Sequence, residues 1–363
     1  MEVVIVGTQG VPAAYGGFES LVENIIGENC SPDIHYTVFC SSADMPDRRS
    51  GYKGCRLKYV GLHANGISSV PYDIISMMRA VSGFDVVLIL GTSGCVFLPV
   101  LRLLSKSRLI VNIDGLEHRR EKWGRLAKCF LRFSERCAVR NADVVIADNK
   151  GIQDYVTDTY HLKSELIAYG GDHVLRNVPE DRQKEILTRY GLESGKYAIT
   201  VCRIEPENNC DMILEAFAKS GKNLVFIGNW QHSPYAQHLH RKYAGFSSGG
   251  GYNLRLTDAV YDLDVLYTLR SHAACYVHGH SAGGTNPSLV EAMFFGRPVV
   301  AYDVVYNRET THGLAYYFST AEELSGLVSR DDLDGAALKR VAEENYTWRH
   351  IAEQYETLYR GRK

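Results

Sequence analysis

Neither sign of charge dominates this sequence, and its cysteines form no recognisable pattern. The 40 Lys and Arg residues are balanced by 42 Asp and Glu, a formal net charge of −2 over 363 residues. A protein that binds nucleic acid usually carries a basic excess, so we expect no nucleic-acid partner. The nine cysteines include no CxxC pair. Their odd number is typical of buried thiols in a reducing compartment and indicates neither a disulfide framework nor a zinc site.

The sequence also lacks an apolar run long enough to span a membrane. Its most apolar stretch, Val86–Leu104, is interrupted by two glycines, a proline and an arginine, whereas a membrane helix needs about 20 apolar residues. Met1 and Glu2 lead directly into a strand-like run without the basic segment of a signal peptide. We therefore expect a cytoplasmic protein that either is free in the cytoplasm or lies at the inner face of the membrane.

Short apolar runs alternate with longer amphipathic segments, and this series occurs twice. Because the runs are continuous rather than alternating, they predict parallel strands that are covered on both faces. The predicted strands are Val3–Val6, Tyr36–Cys40, Val86–Leu90, Leu109–Ile113 and Val144–Ala147, followed by Tyr197–Cys202, Leu224–Ile227, Ala273–Val277 and Pro298–Ala301. Helical patterns between them include Phe18–Ile26, Leu126–Val139, Asp211–Lys219 and Ser288–Phe295.

Two such series predict an α/β protein with two doubly wound, Rossmann-like domains. Its length also exceeds what one core usually covers. We expect a first domain over residues 1–174, a second domain over 175–342 and a C-terminal amphipathic helix within 343–363. Ligands of such sheets bind at the carboxyl ends of the strands, so we expect the two domains to face each other across a cleft that holds the site.

The strongest motif is the segment from His278 to Glu291. Asn286 is a good N-cap and Pro287 suits the first helical position, so a helix begins there. Its backbone N–H groups, after Gly283 and Gly284, would donate hydrogen bonds to a phosphate. Glu291 lies one turn inside the helix and points back toward its start, where a carboxylate accepts from sugar or ribose hydroxyls. The alternative is a capped core helix with Glu291 on its rim.

A glycine loop follows the first predicted strand. Gly7, Gly10, Gly16 and Gly17 could bring backbone amides against a diphosphate or a sugar. The spacing is not GxGxxG, which argues against a dinucleotide-dependent oxidoreductase. Glycines that serve only a tight turn are the alternative.

Arg203 ends a predicted strand of the second domain. A guanidinium fixed at that edge suits a phosphate. The alternative is a surface ion pair with Glu205 or Glu207.

Asp114, Glu117 and His118 follow a predicted strand of the first domain. They could orient or deprotonate an acceptor hydroxyl, although a lone histidine of this kind is more often structural.

The segment 119–140 predicts a basic amphipathic helix. It carries eight Lys and Arg residues against two glutamates, with Leu126, Phe130, Phe133 and Cys137 in one stripe. Such a helix could lie on anionic lipid or bind a polyprenyl diphosphate, and a solvated surface helix is the alternative.

The two DxD strings, Asp262–Asp264 and Asp332–Asp334, lie at predicted helix starts, where Asp caps the helix, so we expect no metal site.

These motifs together resemble the retaining glycosyltransferases of family 4, which have the GT-B fold. The resemblance runs over nearly the whole chain and rests on Tyr15–Glu19, Arg203–Glu207, Gly284–Met293 and Tyr346–Ala352. It implies an acceptor-side domain over residues 1–174 and a nucleotide-sugar donor domain over 175–342. It also implies a terminal helix within 343–363 that crosses back onto the first domain, and catalysis without a metal or other cofactor. Within the family, Gly115–Glu117, Arg203–Asn209 and His278–Glu291 look closest to rhamnosyltransferases of capsule and exopolysaccharide synthesis, which use dTDP-L-rhamnose.

Three positions depart from the family pattern. The family's sugar-binding glutamate falls on Gly283, its phosphate lysine falls on Asn208, and its frequent histidine falls on Asp114. The predicted catalytic residues are Asp114, Glu117, His118 and Arg203. The predicted donor-binding residues are Gly16, Gly17, Arg203, Asn208, Gly228, Gly283, Gly284, Thr285, Asn286, Ser288 and Glu291.

The sequence therefore predicts a retaining glycosyltransferase that moves a sugar, L-rhamnose by resemblance, from a nucleoside diphosphate onto a glycan or a polyprenyl-diphosphate-linked saccharide. A nucleotide-sugar epimerase on a similar fold and a non-catalytic nucleotide-binding scaffold are the alternatives. Because Gly283 and Asn208 depart from the family pattern, a non-catalytic scaffold stays an alternative.

Overall fold

The structure is a computed structural model that describes residues 1–13, 16–29, 31–119, 123–247 and 253–361. The chain divides into two compact units. The first comprises residues 1–170 and 348–363, and the second comprises residues 171–347. Tyr15 of the glycine loop, Arg120 of the basic segment and Cys30 lie outside the described residues.

Two sheets form the framework. The strands are β1 (Glu2–Val6), β2 (His35–Ser41), β3 (Gly51–Tyr52), β4 (Cys55–Val60), β5 (Val86–Leu90), β6 (Arg108–Asn112), β7 (Val144–Ala147), β8 (Glu165–Leu166), β9 (Ala198–Val201), β10 (Leu224–Ile227), β11 (Leu254–Thr257), β12 (Cys275–His278), β13 (Val299–Tyr302) and β14 (Tyr316–Phe318). The first unit holds an eight-stranded sheet in the order β3-β4-β2-β1-β5-β6-β7-β8, and the second holds a six-stranded sheet in the order β11-β10-β9-β12-β13-β14.

Helices connect the strands of each sheet. They are α1 (Gly17–Gly27), α2 (Ser69–Arg79), α3 (Leu98–Leu104), α4 (Arg125–Asn141), α5 (Lys150–Tyr160), α6 (Glu180–Arg189), α7 (Cys210–Ser220), α8 (Pro234–Tyr243), α9 (Leu263–Ser271), α10 (Pro287–Met293), α11 (Val305–Thr310), α12 (Ala321–Leu327), α13 (Ala336–Asn345) and α14 (Trp348–Arg360). Neighbouring strands are parallel except β3 and β4. The predicted α/β class with two Rossmann-like parallel sheets is therefore confirmed.

The core of the first unit includes the helix at the far end of the chain. Trp348, Ile351 and Tyr355 of α14 are buried in the same apolar cluster as Val3 and Leu88 of the sheet. This packing follows from the apolar stripe that the sequence places at helical spacing along α14. Gly170 lies against the Trp348 ring, and a Cβ at that position would come within 2.5 Å of an indole carbon.

Each doubly wound sheet has one point where the strand order reverses, and ligands of such folds bind there, beyond the carboxyl ends of the strands. In the first sheet this point lies between β1 and β5, and in the second it lies between β9 and β12. The glycine loop follows β1. The Arg203 segment follows β9, and the His278–Glu291 segment begins at the end of β12.

The predicted basic helix is shorter than 119–140. The structure has a 3₁₀ turn over Glu117–Arg119 and then α4 from Arg125. Its buried face consists of Leu131, Ser134, Glu135, Cys137, Ala138 and Val139. Of the predicted apolar stripe only Cys137 is buried, while Leu126, Phe130 and Phe133 are exposed.

The eight cysteines in the described part of the chain are free thiols. Burial raises the pKa of the Cys40 thiol to about 11 and that of Cys275 to about 12, so both stay protonated at neutral pH. Within the described residues, none of the helices is long and apolar enough to cross a membrane.

Candidate functional site

Two loops meet at the switch point of the second sheet. They follow the neighbouring strands β9 and β12, whose residues pair at Ala198 with Cys275 and at Ile199 with Tyr276. The Asn209 amide donates to the Gly279 carbonyl at 2.8 Å. The Ser281 backbone N–H donates to the Glu207 carbonyl at 2.8 Å. The segments that the sequence singled out separately therefore form one continuous surface at the place where such a sheet binds ligands.

Glycines allow the close approach of these loops. A Cβ at Gly279 would lie 2.2 Å from the Asn208 carbonyl oxygen. A Cβ at Gly228, directly after β10, would lie 2.7 Å from the Cys202 carbonyl oxygen. The predicted donor residue Gly228 thus makes room for the chain that leads to Arg203.

Arg203 lies at the edge of this surface. One guanidinium nitrogen, Nη1, is 3.5 Å from Glu205 Oε1, and the side chain keeps 37% of its exposure. The ion pair between Arg203 and Glu205, which the sequence analysis gave as the alternative to phosphate binding, is present, but its N–O distance is long and both side chains are partly exposed. Exposed pairs contribute about 0–1 kcal/mol, so this one would not prevent the guanidinium from binding a phosphate.

Asn208, at which the sequence resemblance places a phosphate lysine, is buried. Its amide nitrogen donates to the Arg203 carbonyl at 2.7 Å. Its side-chain oxygen lies 2.7 Å from His280 Nδ1. Asn208 therefore has a structural role, because its side chain connects the two loops of the switch point. Its donor-binding role stays a prediction.

The predicted helix start at Asn286 is present. The Asn286 side-chain oxygen accepts from the Ser288 backbone N–H at 3.0 Å and from the Ser288 hydroxyl at 2.8 Å. Gly283 and Gly284 precede it with φ angles of 49° and 57°, which favour glycine, and Thr285 is buried. The helix that follows has only seven residues, Pro287–Met293, and ends before the predicted Phe295.

Glu291 has partners that the sequence did not reveal. Its Oε2 accepts from Arg270 Nη2 at 2.6 Å, and its Oε1 lies 3.5 Å from His173 Nε2. Arg270 is almost fully buried. A buried guanidinium needs such a partner, so Glu291 fixes α10 to α9. Arg270 was missed because it stands in the last turn of an ordinary amphipathic helix, and no local motif marks it.

His278 ends β12 beneath these loops. Its ring is buried and its Nε2 has no hydrogen-bond partner among the described residues. Burial, and then the neighbouring His280, lower the pKa of His278 to about 3. The imidazole is therefore neutral throughout the physiological range.

In the first unit, the glycine loop is braced by a glutamate. Glu19 Oε1 accepts from the Thr8 hydroxyl at 3.0 Å and from the Gln9 backbone N–H at 2.7 Å. Gly16 has a φ of 136°, and a Cβ there would lie 1.9 Å from Glu19 Oε2. Gly17 begins α1. The loop therefore needs glycine for a tight conformation, the alternative anticipated from sequence, and its predicted contact with a ligand stays a prediction.

Asp114 lies just beyond β6 in a left-handed conformation with a φ of 54°. Its backbone N–H donates to Asn112 Oδ1 at 3.0 Å, and the Asn112 amide donates to the Tyr355 hydroxyl at 2.9 Å. The Tyr169 hydroxyl donates to Asp114 Oδ1 at 3.4 Å. Helix α14 thus helps to hold the conformation of the loop that carries Asp114.

Glu117 and His118 point to different surroundings. The Trp123 indole N–H donates to Glu117 Oε1 at 2.8 Å. His118 is buried, and its Nδ1 lies 3.0 Å from Glu135 Oε2. The hydroxyls of Tyr155 and Tyr160 both donate to Glu135 Oε1 at 2.7 Å. Although burial raises the pKa of Glu135, the hydrogen bonds from His118 and the two tyrosines outweigh it and hold that pKa below its usual value.

This network gives His118 a structural partner, the role that the sequence left open beside catalysis. The histidine and Glu135 hold the turn over Glu117–Arg119 against α4. The predicted contact of His118 with the acceptor stays a prediction, as do those of Asp114 and Glu117.

An apolar and basic surface covers the outer side of α4 and the adjacent α3. Leu126 and Phe133 keep 89% and 59% of their exposure. Leu103 of α3 keeps 85%. Arg125, Arg132 and Arg136 are exposed on the same helix as Leu126 and Phe133. We call these exposed side chains of α3 and α4 the α3–α4 face.

The DxD strings act locally. Asp262 Oδ1 accepts from the backbone N–H groups of Asp264 and Val265 at 2.9 and 3.2 Å and so caps α9. Asp332 pairs with Arg330 at 2.7 Å. Among the residues that the structure describes, no group of three or more His, Cys, Asp or Glu side chains could hold a metal ion.

Two family models match the chain. Residues 195–330 match the family described as glycosyl transferases group 1. Residues 1–172 match a domain of unknown function, DUF1972. No protein with a curated description matches the sequence. Most of the second unit is therefore similar to glycosyl transferases of group 1.

Solved structures resemble the chain over nearly its full length. A sucrose-phosphate synthase from Thermosynechococcus elongatus is 16% identical, with 99% of this chain and 98% of that chain covered and a TM-score of 0.81. Anabaena HepE in complex with UDP is 14% identical, with 99% of both chains covered and a TM-score of 0.76. An E. coli trehalose-6-phosphate structure bound with UDP-2-fluoro glucose is 11% identical, with 100% of both chains covered and a TM-score of 0.75. At these identities the likeness establishes the fold, which is the predicted GT-B class.

Proposed function

We propose that this chain is a retaining glycosyltransferase that transfers a sugar from a nucleoside diphosphate to a saccharide acceptor. The observation that carries the proposal is the junction of two loops at the β9–β12 switch point, with the half-exposed Arg203 at its edge. The group 1 match covers the same segment. Neighbours with this fold hold UDP or a UDP-sugar analogue, which supports a nucleotide-sugar donor.

Sugar transfer leaves a nucleoside diphosphate, whose developing charge needs fixed donors. Arg203 offers a charge-assisted hydrogen bond of the strong type. The backbone at Gly283 and Gly284 and the glycine loop with Gly16 and Gly17 are the further donors that we propose. No metal or other cofactor enters this scheme, since the leaving group meets the side chains and backbone of the protein directly.

L-rhamnose from dTDP-L-rhamnose remains our proposal for the donor. It is supported by the sequence resemblance and by Gly283, which leaves no carboxylate at the position where relatives contact the sugar. Glu291 would accept from the single 3′-hydroxyl of a deoxyribose while it keeps Arg270 as its second partner. A ribonucleotide would offer two hydroxyls, so UDP is the competing donor nucleotide.

For the acceptor we propose a glycan or a polyprenyl-diphosphate-linked saccharide at an anionic membrane surface, in the service of cell-surface polysaccharide synthesis. The α3–α4 face supports this choice, because it exposes large apolar side chains beside arginines, the combination that binds anionic bilayers. Asp114 and Glu117 are the side chains that we propose for contact with the acceptor hydroxyl.

A thermal-shift panel of dTDP, UDP and GDP and of their sugars tests the donor proposal. A ligand at a hundredfold excess over its dissociation constant stabilises the protein by about 2.7 kcal/mol. We expect dTDP and dTDP-L-rhamnose to stabilise most. A larger rise in melting temperature with UDP would identify UDP, and not dTDP, as the donor nucleotide. The absence of any rise would argue against a nucleotide-sugar enzyme.

The two alternatives make different predictions. An epimerase would convert the bound sugar or release free sugar without an acceptor. A scaffold would bind nucleotide without turnover.

A further inference from the structure

Two cysteines flank the loop that carries Arg203. Cys202 directly follows β9 and precedes Arg203, and Cys210 begins α7. Seven residues, 203–209, lie between the two cysteines. Their spacing is not that of a CxxC motif, and they stand at the ends of two different elements, so the sequence alone does not indicate a pair.

The structure brings the two sulfur atoms within hydrogen-bonding distance. The thiol of Cys202 is hydrogen-bonded to that of Cys210. The Cys210 thiol in turn donates to the carbonyl oxygens of Glu205 at 3.5 Å and of Arg203 at 3.9 Å. Because the hydrogen of Cys210 is directed at the loop backbone, its sulfur accepts from Cys202. A chain of hydrogen bonds therefore runs from the end of β9 through both thiols to the backbone of the Arg203 loop.

The two thiols differ in their access to solvent. Cys202 is partly exposed, whereas Cys210 is buried, so an oxidant from solvent reaches Cys202 first. The hydrogen bond to Cys210 is the main cause that raises the pKa of Cys202 well above its ordinary value. Cys202 therefore keeps its proton at neutral pH and reacts slowly. Such a pair stays reduced under ordinary conditions and responds to sustained oxidation, as the transient disulfides of intracellular proteins do.

We propose that Cys202 and Cys210 are an oxidative modification site, at which a peroxide forms a disulfide that impairs donor binding through Arg203. This regulation rests on the proposed function. The peroxide oxidises the Cys202 thiol to a sulfenic acid and releases one water. The Cys210 thiol then attacks that sulfur, and a second water leaves as the S–S bond forms. The two sulfurs lose two electrons in all, and the O–O bond of the peroxide takes them up.

The disulfide acts on the two ends of the Arg203 loop. Oxidation removes the hydrogen that Cys210 donates to the loop backbone. The Arg203 and Glu205 carbonyls keep their bonds from Asn208, at 2.7 Å from its amide and 3.0 Å from its backbone N–H, so the turn itself persists. However, an S–S bond of about 2.05 Å replaces a longer contact between two thiols and draws the start of α7 toward the end of β9. Since Arg203 directly follows Cys202, we expect its guanidinium to be displaced.

The cross-link is tested without any ligand. The full chain is treated with hydrogen peroxide, its remaining thiols are blocked, and it is digested with trypsin without reductant. Cleavage after Arg203 places Cys202 in peptide 197–203 and Cys210 in peptide 204–219. We expect a linked pair of these peptides, with a mass two hydrogens below their sum, that separates on reduction. A digest that contains the two peptides only separately would overturn the inference.

Calorimetry with UDP and dTDP tests the effect on donor binding. We expect oxidation to raise the dissociation constant of the wild type by about 10-fold or more, because the charge-assisted hydrogen bond of Arg203 is weakened, and dithiothreitol to restore it. Cys202→Ser and Cys210→Ala should each lose this response to peroxide. Cys275→Ala removes a buried thiol of β12, outside the loop, and should keep the response as the matched control.

An unchanged dissociation constant in the cross-linked protein would contradict the regulation. A response of Cys202→Ser and Cys210→Ala equal to that of the wild type would also contradict it, because oxidation at another site would then be responsible. Reduced wild type that binds neither nucleotide would contradict the proposed function and the regulation of binding, while the linked peptides would still establish the modification site. The two failures are therefore distinguishable.

Discussion

At the residue scale, the donor motif is held together by contacts between distant positions. Asn208 and His280 are 72 residues apart in sequence, and Arg270 and Glu291 lie on different helices. A local motif identifies where such residues stand, but the partner of each side chain depends on how the strands are ordered. This is why the sequence placed Glu291 correctly one turn inside α10 and still missed Arg270.

Arg203 is the residue whose loss should matter most for transfer. Arg203→Ala should lower kcat/KM by about 100-fold or more, because a fixed donor for the leaving group is removed. Steady-state kinetics with the preferred donor would measure this. Arg308→Ala, which removes another half-exposed arginine of the second unit, paired with Asp303 at 2.6 Å, is the control. Equal activity of the two variants would remove Arg203 from the mechanism.

Arg270 should matter for stability. Truncation of one partner of a buried ion pair typically costs about 3–5 kcal/mol. Arg270 is almost fully buried, but Glu291 is partly exposed, so we expect Arg270→Ala to reduce the free energy of unfolding by about 3 kcal/mol. Chemical denaturation measures this, with Arg308→Ala again as the reference. A loss below about 1 kcal/mol, the range of exposed pairs, would mean that the pair contributes little.

At the element scale, the sequence predicts continuously apolar strands well and alternating or very short strands poorly. Val86–Leu90 is apolar throughout and was predicted with its bounds. Strand β4 was missed because its buried residues alternate with Arg56 and Lys58, which breaks the continuous pattern of a covered parallel strand. Strands β8 and β14 are too short, at two and three residues, to produce a period at all.

The α3–α4 face makes a prediction for a whole surface. We expect wild-type protein to sediment with vesicles that contain anionic phospholipid and not with neutral vesicles. The double variant Leu126→Glu/Phe133→Glu should lose this binding, because both apolar insertion and charge attraction are weakened. Ile67→Glu changes a similarly exposed apolar residue of the first unit and should bind normally. Equal sedimentation of the two variants would contradict membrane contact through α4.

At the scale of the whole molecule, His278 links stability to pH. Its folded pKa of about 3 lies below the ordinary value of 6.5, so the unfolded chain binds the proton more readily. The stability that this neutral ring contributes is present above pH 6.5 and is lost as the pH falls toward 3. Between those values, His278→Phe should show a flatter decline of unfolding free energy than wild type. Parallel pH profiles would contradict a buried neutral His278.

The order of strands in the whole molecule explains why the sequence predicts the location of the binding loops but not the identity of the sugar. Two series of strands and helices give two doubly wound sheets, and their switch points select the β1, β9 and β12 loops as binding surfaces. The identity of the sugar depends on side chains around Gly283 that no local pattern encodes. The fold therefore follows from the pattern of strands and helices, whereas the choice of donor depends on individual side chains.

The most direct measurement of the central claim is a transfer assay with labelled nucleotide-sugars. Each of dTDP-L-rhamnose, UDP-glucose and a GDP-sugar is incubated with the full chain, with and without polyprenyl-diphosphate-linked saccharides. We expect the nucleoside diphosphate to be released in step with a new glycoside that retains the anomeric configuration, and only when the acceptor is present. Sugar conversion without an acceptor, or nucleotide binding with no turnover of any donor, would contradict the assignment.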